Sequence, residues 1–232
     1  MSQYKPPFTI TDKIHRLKSQ IIKNEKSVKI HIHATKQMLH NAHLHSVHST
    51  LAIENISLTL EEVADIIDGN YVPCTPNEIR AVKNAYEAYN LLNPYHPPNP
   101  YSTADMLHIH RTFCFNTAKF VPRQVDNLLE WVKTSDEHPL IKSSAFHYEI
   151  MSLRPFSIGN GLVARLWQLL LLYKWSMPLG MPLASAICKR KQEYFGTLAI
   201  PNKATGSTKF IEYMLQAIKD AVLQYDKQYL TL

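Results

Sequence analysis

A mainly α-helical fold is predicted from three features of the sequence: apolar residues recur near a 3.6-residue period, helix boundaries carry explicit signals, and few stretches alternate with period two. The helical period shows in Ala81, Val82, Ala85, Tyr86, Tyr89 and Leu92, and again in Ile211, Leu215, Ile218 and Val222. Residues 1–44 are read as an N-terminal helical segment packed on the core, and 45–232 as the main helical domain. No internal repeat or low-complexity linker divides the chain further.

The elements follow in order. A helix is expected near 45–55. Thr59-Leu60-Glu61-Glu62 is a capping box, in which the threonine hydroxyl and the glutamate satisfy amide groups at a helix start, and Asp68-Gly69-Asn70 ends that helix. Thr75-Pro76-Asn77-Glu78 is a second box, with proline at the first helical position, where its missing amide proton costs nothing. The proline-rich run from Asn93 to Tyr101 separates the next two helices. Further helices are expected at 103–115, 122–134, 138–153, 160–175, 190–199 and 207–227. Leu166–Tyr173 is apolar all round, which marks a central buried helix.

A chain of 232 residues with 45% apolar and 19% charged residues can bury a substantial core as one domain. The net charge of +6 tolerates phosphate-rich partners, but the basic residues are scattered and form no nucleic-acid signature. Cys74, Cys114 and Cys188 contain no Cys-x-x-Cys pair and read as core packing, not as a disulfide framework or zinc ribbon. No signal peptide is read at the start, and the longest apolar run falls short of the roughly 20 residues that span a bilayer. A cytoplasmic protein without membrane association is the expectation.

Chemistry gathers at Leu153-Arg154-Pro155-Phe156-Ser157-Ile158-Gly159-Asn160-Gly161-Leu162-Val163-Ala164-Arg165. Pro155 stops one helix, the two glycines permit positive φ and close approach, and a new helix starts behind them. Exposed amides at such a start attract anions through hydrogen bonds and the helix dipole. The same residues also make an ordinary interhelical turn, so spacing alone leaves both readings open.

The order of residues resembles the signature of the Fic family, His-Pro-Phe-x-Asp/Glu-Gly-Asn-Gly followed by arginines. Pro155, Phe156, Gly159, Asn160, Gly161 and Arg165 fall in register. A second match lies upstream, where Thr50-Leu51-Ala52-Ile53-Glu54-Asn55 is similar to the family's inhibitory pattern Ser/Thr-x-x-x-Glu-Gly/Asn. The resemblance implies a Fic/Fido-type helical domain. It also implies ATP or another nucleotide as ligand and a protein as partner, whose hydroxyl receives AMP.

The departures from that pattern bear on the chemistry. Arg154 stands where the family places its general-base histidine, and a guanidinium stays protonated at any physiological pH. Ile158 stands at the acidic position and offers no oxygen to magnesium, which prefers carboxylates and water. Leu162 replaces the first arginine, leaving Arg165. His147, farther up the preceding helix, and Glu149 are poor substitutes by position. Only Arg111–Val121 is available for the β-hairpin flap that docks targets by strand addition, so the flap is expected to be shortened or absent.

The resemblance therefore points to a degenerate active site with no catalytic base and no metal ligand. Ser157, Gly159, Asn160, Gly161, Arg165 and Arg154 are the candidates for holding phosphate, and Glu54 and Asn55 for regulation. Glu54 and Arg165 would persist either as a structural ion pair or as a gate on nucleotide binding. A divergent transferase that uses Arg154 as a phosphate anchor is the alternative. Histidines at 31, 33, 40, 43, 45 and 48 form a third candidate, but they carry no ligand spacing typical of a metal site. Arg190, Lys191, Tyr194 and Phe195 lie on a helix that would either flank the nucleotide base or pack in the core.

Overall fold

A computed structural model describes residues 4–29, 36–114, 123–199 and 206–229. Among these the regular elements are all helices: α1 (Asp12–Lys29), α2 (Lys36–Ile53), α3 (Leu60–Asp68), α4 (Pro76–Asn90), α5 (Thr103–Cys114), α6 (Arg123–Thr134), α7 (Pro139–Leu153), α8 (Asn160–Trp175), α9 (Leu183–Lys189), α10 (Lys191–Leu198) and α11 (Thr208–Tyr229). Both capping boxes form as read, at Thr59/Glu62 and Thr75/Glu78, and Gly69 closes α3 in the left-handed conformation at φ 86°.

The centre is the hairpin of α7 and α8. Val163, Leu166, Trp167 and Leu170 of α8 are buried, as an all-round apolar helix requires. The proline-rich connection is pinned to this core, because Trp167 Nε1 donates to the Pro100 carbonyl at 3.1 Å. On the far side, the residues before α1 are tied to α11: Thr9 N donates to Thr208 Oγ1 at 2.9 Å, and Thr11 Oγ1 donates to Glu212 at 2.8 Å. Ile14, Leu17 and Ile21 of α1 are buried as well, so the N-terminal segment packs into the same core.

Three particulars depart from the sequence reading. Helix α2 runs unbroken across the border placed at residue 44. The stretch Pro182–Lys189, left unassigned, contains the seven-residue α9, shorter than the roughly 11-residue window in which a helical period can be read. The cysteines are only partly buried at the edge of the core. The flap expected to be shortened or absent falls largely on 115–122, outside the described residues. No described helix is long and apolar enough to cross a membrane.

Candidate functional site

Helix α7 ends at Leu153 because Pro155 cannot continue it, and Arg154 takes the left-handed conformation at φ 46°, ψ 58°. The chain then turns through Phe156–Gly159. Asn160 locks this turn from within: its Nδ2 donates to the Phe156 carbonyl at 2.7 Å, and its Oδ1 accepts from the Phe156 amide at 3.0 Å. The side chain is buried, so the asparagine acts as an internal clasp that satisfies backbone groups water cannot reach.

Helix α5 supports the turn from outside. The His110 ring stacks on Phe156 with centroids 3.9 Å apart, and its Nε2 donates to the Ile158 carbonyl at 3.0 Å. Burial lowers the His110 pKa and keeps the imidazole neutral. Gly159 is at φ 79°, and a Cβ there would collide with Cys114 Sγ, so both conformation and space require glycine. Burial, then the nearby Glu54 carboxylate, pushes the Cys114 thiol up to about 11.

Opposite the turn stands the end of α2. Asn55 N bonds the Ala52 carbonyl and Ile56 N bonds the Leu51 carbonyl, which is the paired bonding of a Schellman cap, and Asn55 sits at φ 67°. This explains the Glu-Gly/Asn pattern physically. The residue after Glu54 must adopt a left-handed conformation that only glycine and asparagine take readily, and the cap aims Glu54 off the helix end toward the turn.

Glu54 Oε1 meets Arg165 Nη2 at 2.6 Å, and a Cβ on Gly161 would lie only 2.6 Å from the same oxygen. The carboxylate thus lies directly over the glycine turn. Arg165 is further held by Thr50, whose Oγ1 accepts from Nε at 2.7 Å and whose carbonyl accepts from Nη2 at 3.3 Å. Its side chain is 1% exposed against 39% for Glu54, and its buried Nη1 has no hydrogen-bond partner among the described residues. A buried guanidinium with an unused donor thus stands directly behind the glycine turn, where a Cβ on Gly161 would lie 2.9 Å from Nη1.

A cleft of about 600 Å³ opens here, lined by Glu54, Arg154, Ser157 and the 159–161 turn together with Tyr148, Met151, Phe195 and Leu198. Ile158 projects at its rim, 54% exposed. Arg154 and Ser157 are exposed. Leu162 is partly buried and packed against the core.

The sequence model of the Fic/DOC family matches residues 11–172. The chain belongs to the Fic/DOC family. Its fold superposes on the crystal structure of a Fic family protein from Desulfovibrio desulfuricans G20, with a TM-score of 0.85 and 30% identity over 97% of this chain and 77% of that one. It is also similar to Fic-1 (residues 134–508) from C. elegans, with a TM-score of 0.75 and 19% identity over 94% of this chain and 74% of that one, which shows the fold. Protein adenylyltransferase fic-1 from Caenorhabditis briggsae is 24% identical over 88% of this chain and 45% of its own length. The chain thus spans about half the length of the curated relatives it matches.

The site residues of the sequence reading come together: Ser157, Gly159, Asn160, Gly161, Arg165 and Arg154 on the turn, and Glu54 with Asn55 facing it. His147 does not join them. It is fully buried, donates from Nδ1 to Gln168 Oε1 at 2.6 Å and accepts the Tyr194 hydroxyl at Nε2 at 2.9 Å, and burial pushes its pKa down to about 3. Glu149 is buried too and accepts from the Tyr4 hydroxyl at 2.7 Å. On the helix that left both roles open, Tyr194 is core whereas Phe195 lines the cleft.

Among the upstream histidines that are described, His40 Nδ1 pairs with the Tyr86 hydroxyl at 2.7 Å and His43 Nδ1 with Asn90 at 3.0 Å. His31 and His33 lie outside the described residues. Among the described residues no cluster of three or more His, Cys, Asp or Glu side chains is suited to a metal. The sequence reading passed over His110 and Cys114 as supports of the turn. A histidine with no motif around it gives no signal of stacking on a phenylalanine forty-six positions away.

Proposed function

We propose that this chain is a Fic-family module that binds the phosphate of ATP or another nucleotide at the Gly159-Asn160-Gly161 turn and does not carry out AMP transfer. The observation that carries the reading is the unpartnered Nη1 of buried Arg165 beside the turn, with an arginine, Arg154, at the position of the family's base. Phosphate oxygens would meet the Arg165 guanidinium, the amides at the start of α8 and the Arg154 side chain. The apolar wall of Phe195, Leu198 and Met151 would take the nucleoside.

AMP transfer requires removal of a proton from the attacking hydroxyl. Neither Arg154, which is permanently protonated, nor His147, which is locked in the core, offers a base on the cleft. General-base assistance is worth about a hundredfold to ten-thousandfold, so its loss slows the reaction by that factor. Magnesium does not fit the lining residues: Ile158 has no oxygen, and the Glu54 carboxylate is engaged by Arg165. Binding is therefore expected without the metal.

On this reading Glu54 is a gate as well as an ion pair, because its carboxylate occupies the space over Gly161 that a phosphate oxygen would need. The module's output would be a contact with a protein partner. A divergent transferase is the second reading, favoured by the exposed guanidinium of Arg154 at the rim.

Calorimetric titration with ATP, with and without magnesium, tests the binding, and incubation with labelled ATP tests the chemistry. Metal-independent binding that strengthens in Glu54→Ala, without label transfer, is expected. Label transfer that persists in Glu54→Ala and disappears in Arg154→Ala establishes the transferase instead.

A further inference from the structure

Glu54 is held in the turn at two ends, and only one of them is Arg165. The other is the backbone of α2, whose last turn carries carbonyls that no amide of the helix can satisfy. Lys191, the first residue of α10, reaches across to this end: its Nζ donates to the Ala52 carbonyl at 2.7 Å and to Asn55 Oδ1 at 2.7 Å. An ammonium at a helix C-terminus is favoured by the dipole as well as by the hydrogen bonds. Its two acceptors flank Glu54 and belong to the Schellman cap that aims it.

The same helix carries the cleft wall. Lys191, Phe195 and Leu198 are spaced by four and three residues, so they share one side of α10. Phe195 and Leu198 line the cleft, while Lys191 grips the element that closes it. Asparagine at position 55 contributes what glycine could not, since both provide the left-handed turn but only asparagine gives Lys191 a second oxygen.

We infer that Lys191 is the positioning residue of the gate, a cation that clamps the Ala52–Asn55 cap and thereby holds the Glu54 carboxylate over the glycine turn. This rests on the reading that a phosphate competes with Glu54 for that space. Releasing the clamp lets the last turn of α2 fray and gives the ligand the place of the carboxylate. The effect of Lys191 on binding must then pass through Glu54.

The test is a double-mutant cycle with Lys191→Met and Glu54→Ala, using ATP without magnesium as the probe in calorimetry. Lys191→Met should tighten binding about two- to fivefold, the worth of a cation at a helix end, in the chain that retains Glu54 and leave affinity unchanged in the Glu54→Ala background. Lys191→Arg should restore the original affinity, and Asn55→Gly should reproduce part of the tightening. An equal effect of Lys191→Met in both backgrounds overturns the inference.

Exchange measurements by NMR on the unliganded protein provide a ligand-free readout. In Lys191→Met the Asn55 and Ile56 amides and the Arg165 Nη2 hydrogens, one of which Glu54 accepts, should all exchange faster. If the amides quicken while the Arg165 Nη2 hydrogens do not, Lys191 is a helix cap alone and the inference fails. If neither Glu54→Ala nor the parent binds any nucleotide, the proposed function falls, and the exchange data still judge the clamp.

Discussion

The two faces of the glycine turn are built on different terms. On the inner face, Asn160, Arg165 and His110 are buried and bonded to named partners, so each position is determined by packing and by the cost of leaving polar groups unpaired. On the outer rim, Arg154, Ser157 and Ile158 face solvent, where few contacts depend on the side chain present. On the proposed reading, the inner face would keep the geometry for holding a phosphate while substitutions on the rim remove the residues that would react it.

That contrast predicts a steep ordering of mutational effects. Asn160→Ala should be the most damaging, since it strands both the amide and the carbonyl of Phe156 in a buried turn; a loss of about 2–4 kcal/mol is expected in denaturant unfolding. If stability changes by less than about 0.5 kcal/mol, in the manner of an ordinary surface substitution, the clasp is not what holds the inner face.

Glu54→Ala comes next. Removing one partner of a fully buried pair costs about 3–5 kcal/mol, but Glu54 is 39% exposed and water can reach the freed charge, so about 1–3 kcal/mol is expected. Calorimetry should show the loss of stability together with a gain in anion affinity. Affinity unchanged beside lowered stability would reduce the contact to a structural pair.

Acidification tests the buried core behind the turn. The His147 pKa falls from 6.5 to about 3 in the folded chain, so its neutral form is favoured by folding. Its contribution is fully present above pH 6.5 and is lost as pH falls toward 3, at about 1.4 kcal/mol per pH unit within that window. His43 and His110, also lowered by burial, act in the same direction, whereas Glu149, raised by burial, acts against them. Unfolding free energies measured between pH 7 and pH 5 should show the decline, and His147→Gln should flatten it.

The smallest effect on stability belongs to the rim. Arg154→Gly removes a side chain from a left-handed residue where glycine is at ease, so stability should move by no more than about 0.5 kcal/mol. Phosphate affinity should nevertheless drop about tenfold, the typical worth of one charge-assisted hydrogen bond. A large loss of stability in this variant would erase the distinction between the two faces.

Local chemistry is what the sequence by itself determined. The capping boxes at Thr59 and Thr75, the stop at Pro155, the glycines of the turn and the register that puts Arg154, Ile158 and Leu162 at the variable positions all depend on residues within a few places of one another. Backbone propensities act over that range, so they can be read without a fold.

Tertiary structure alone decided the rest. Glu54 meets Arg165 across 111 positions and Lys191 meets Ala52 across 139, distances along the chain over which no periodicity operates. The pattern named Glu54 as a candidate gate, but packing of α2 against the core placed its carboxylate over Gly161 and left Arg165 with one donor unused. Packing of α7 against α8, α10 and α11 retired His147 as a base by surrounding it with Gln168, Tyr194 and Phe210. A side chain's reactivity depends on its solvent and its partners, and those exist only once the helices have met.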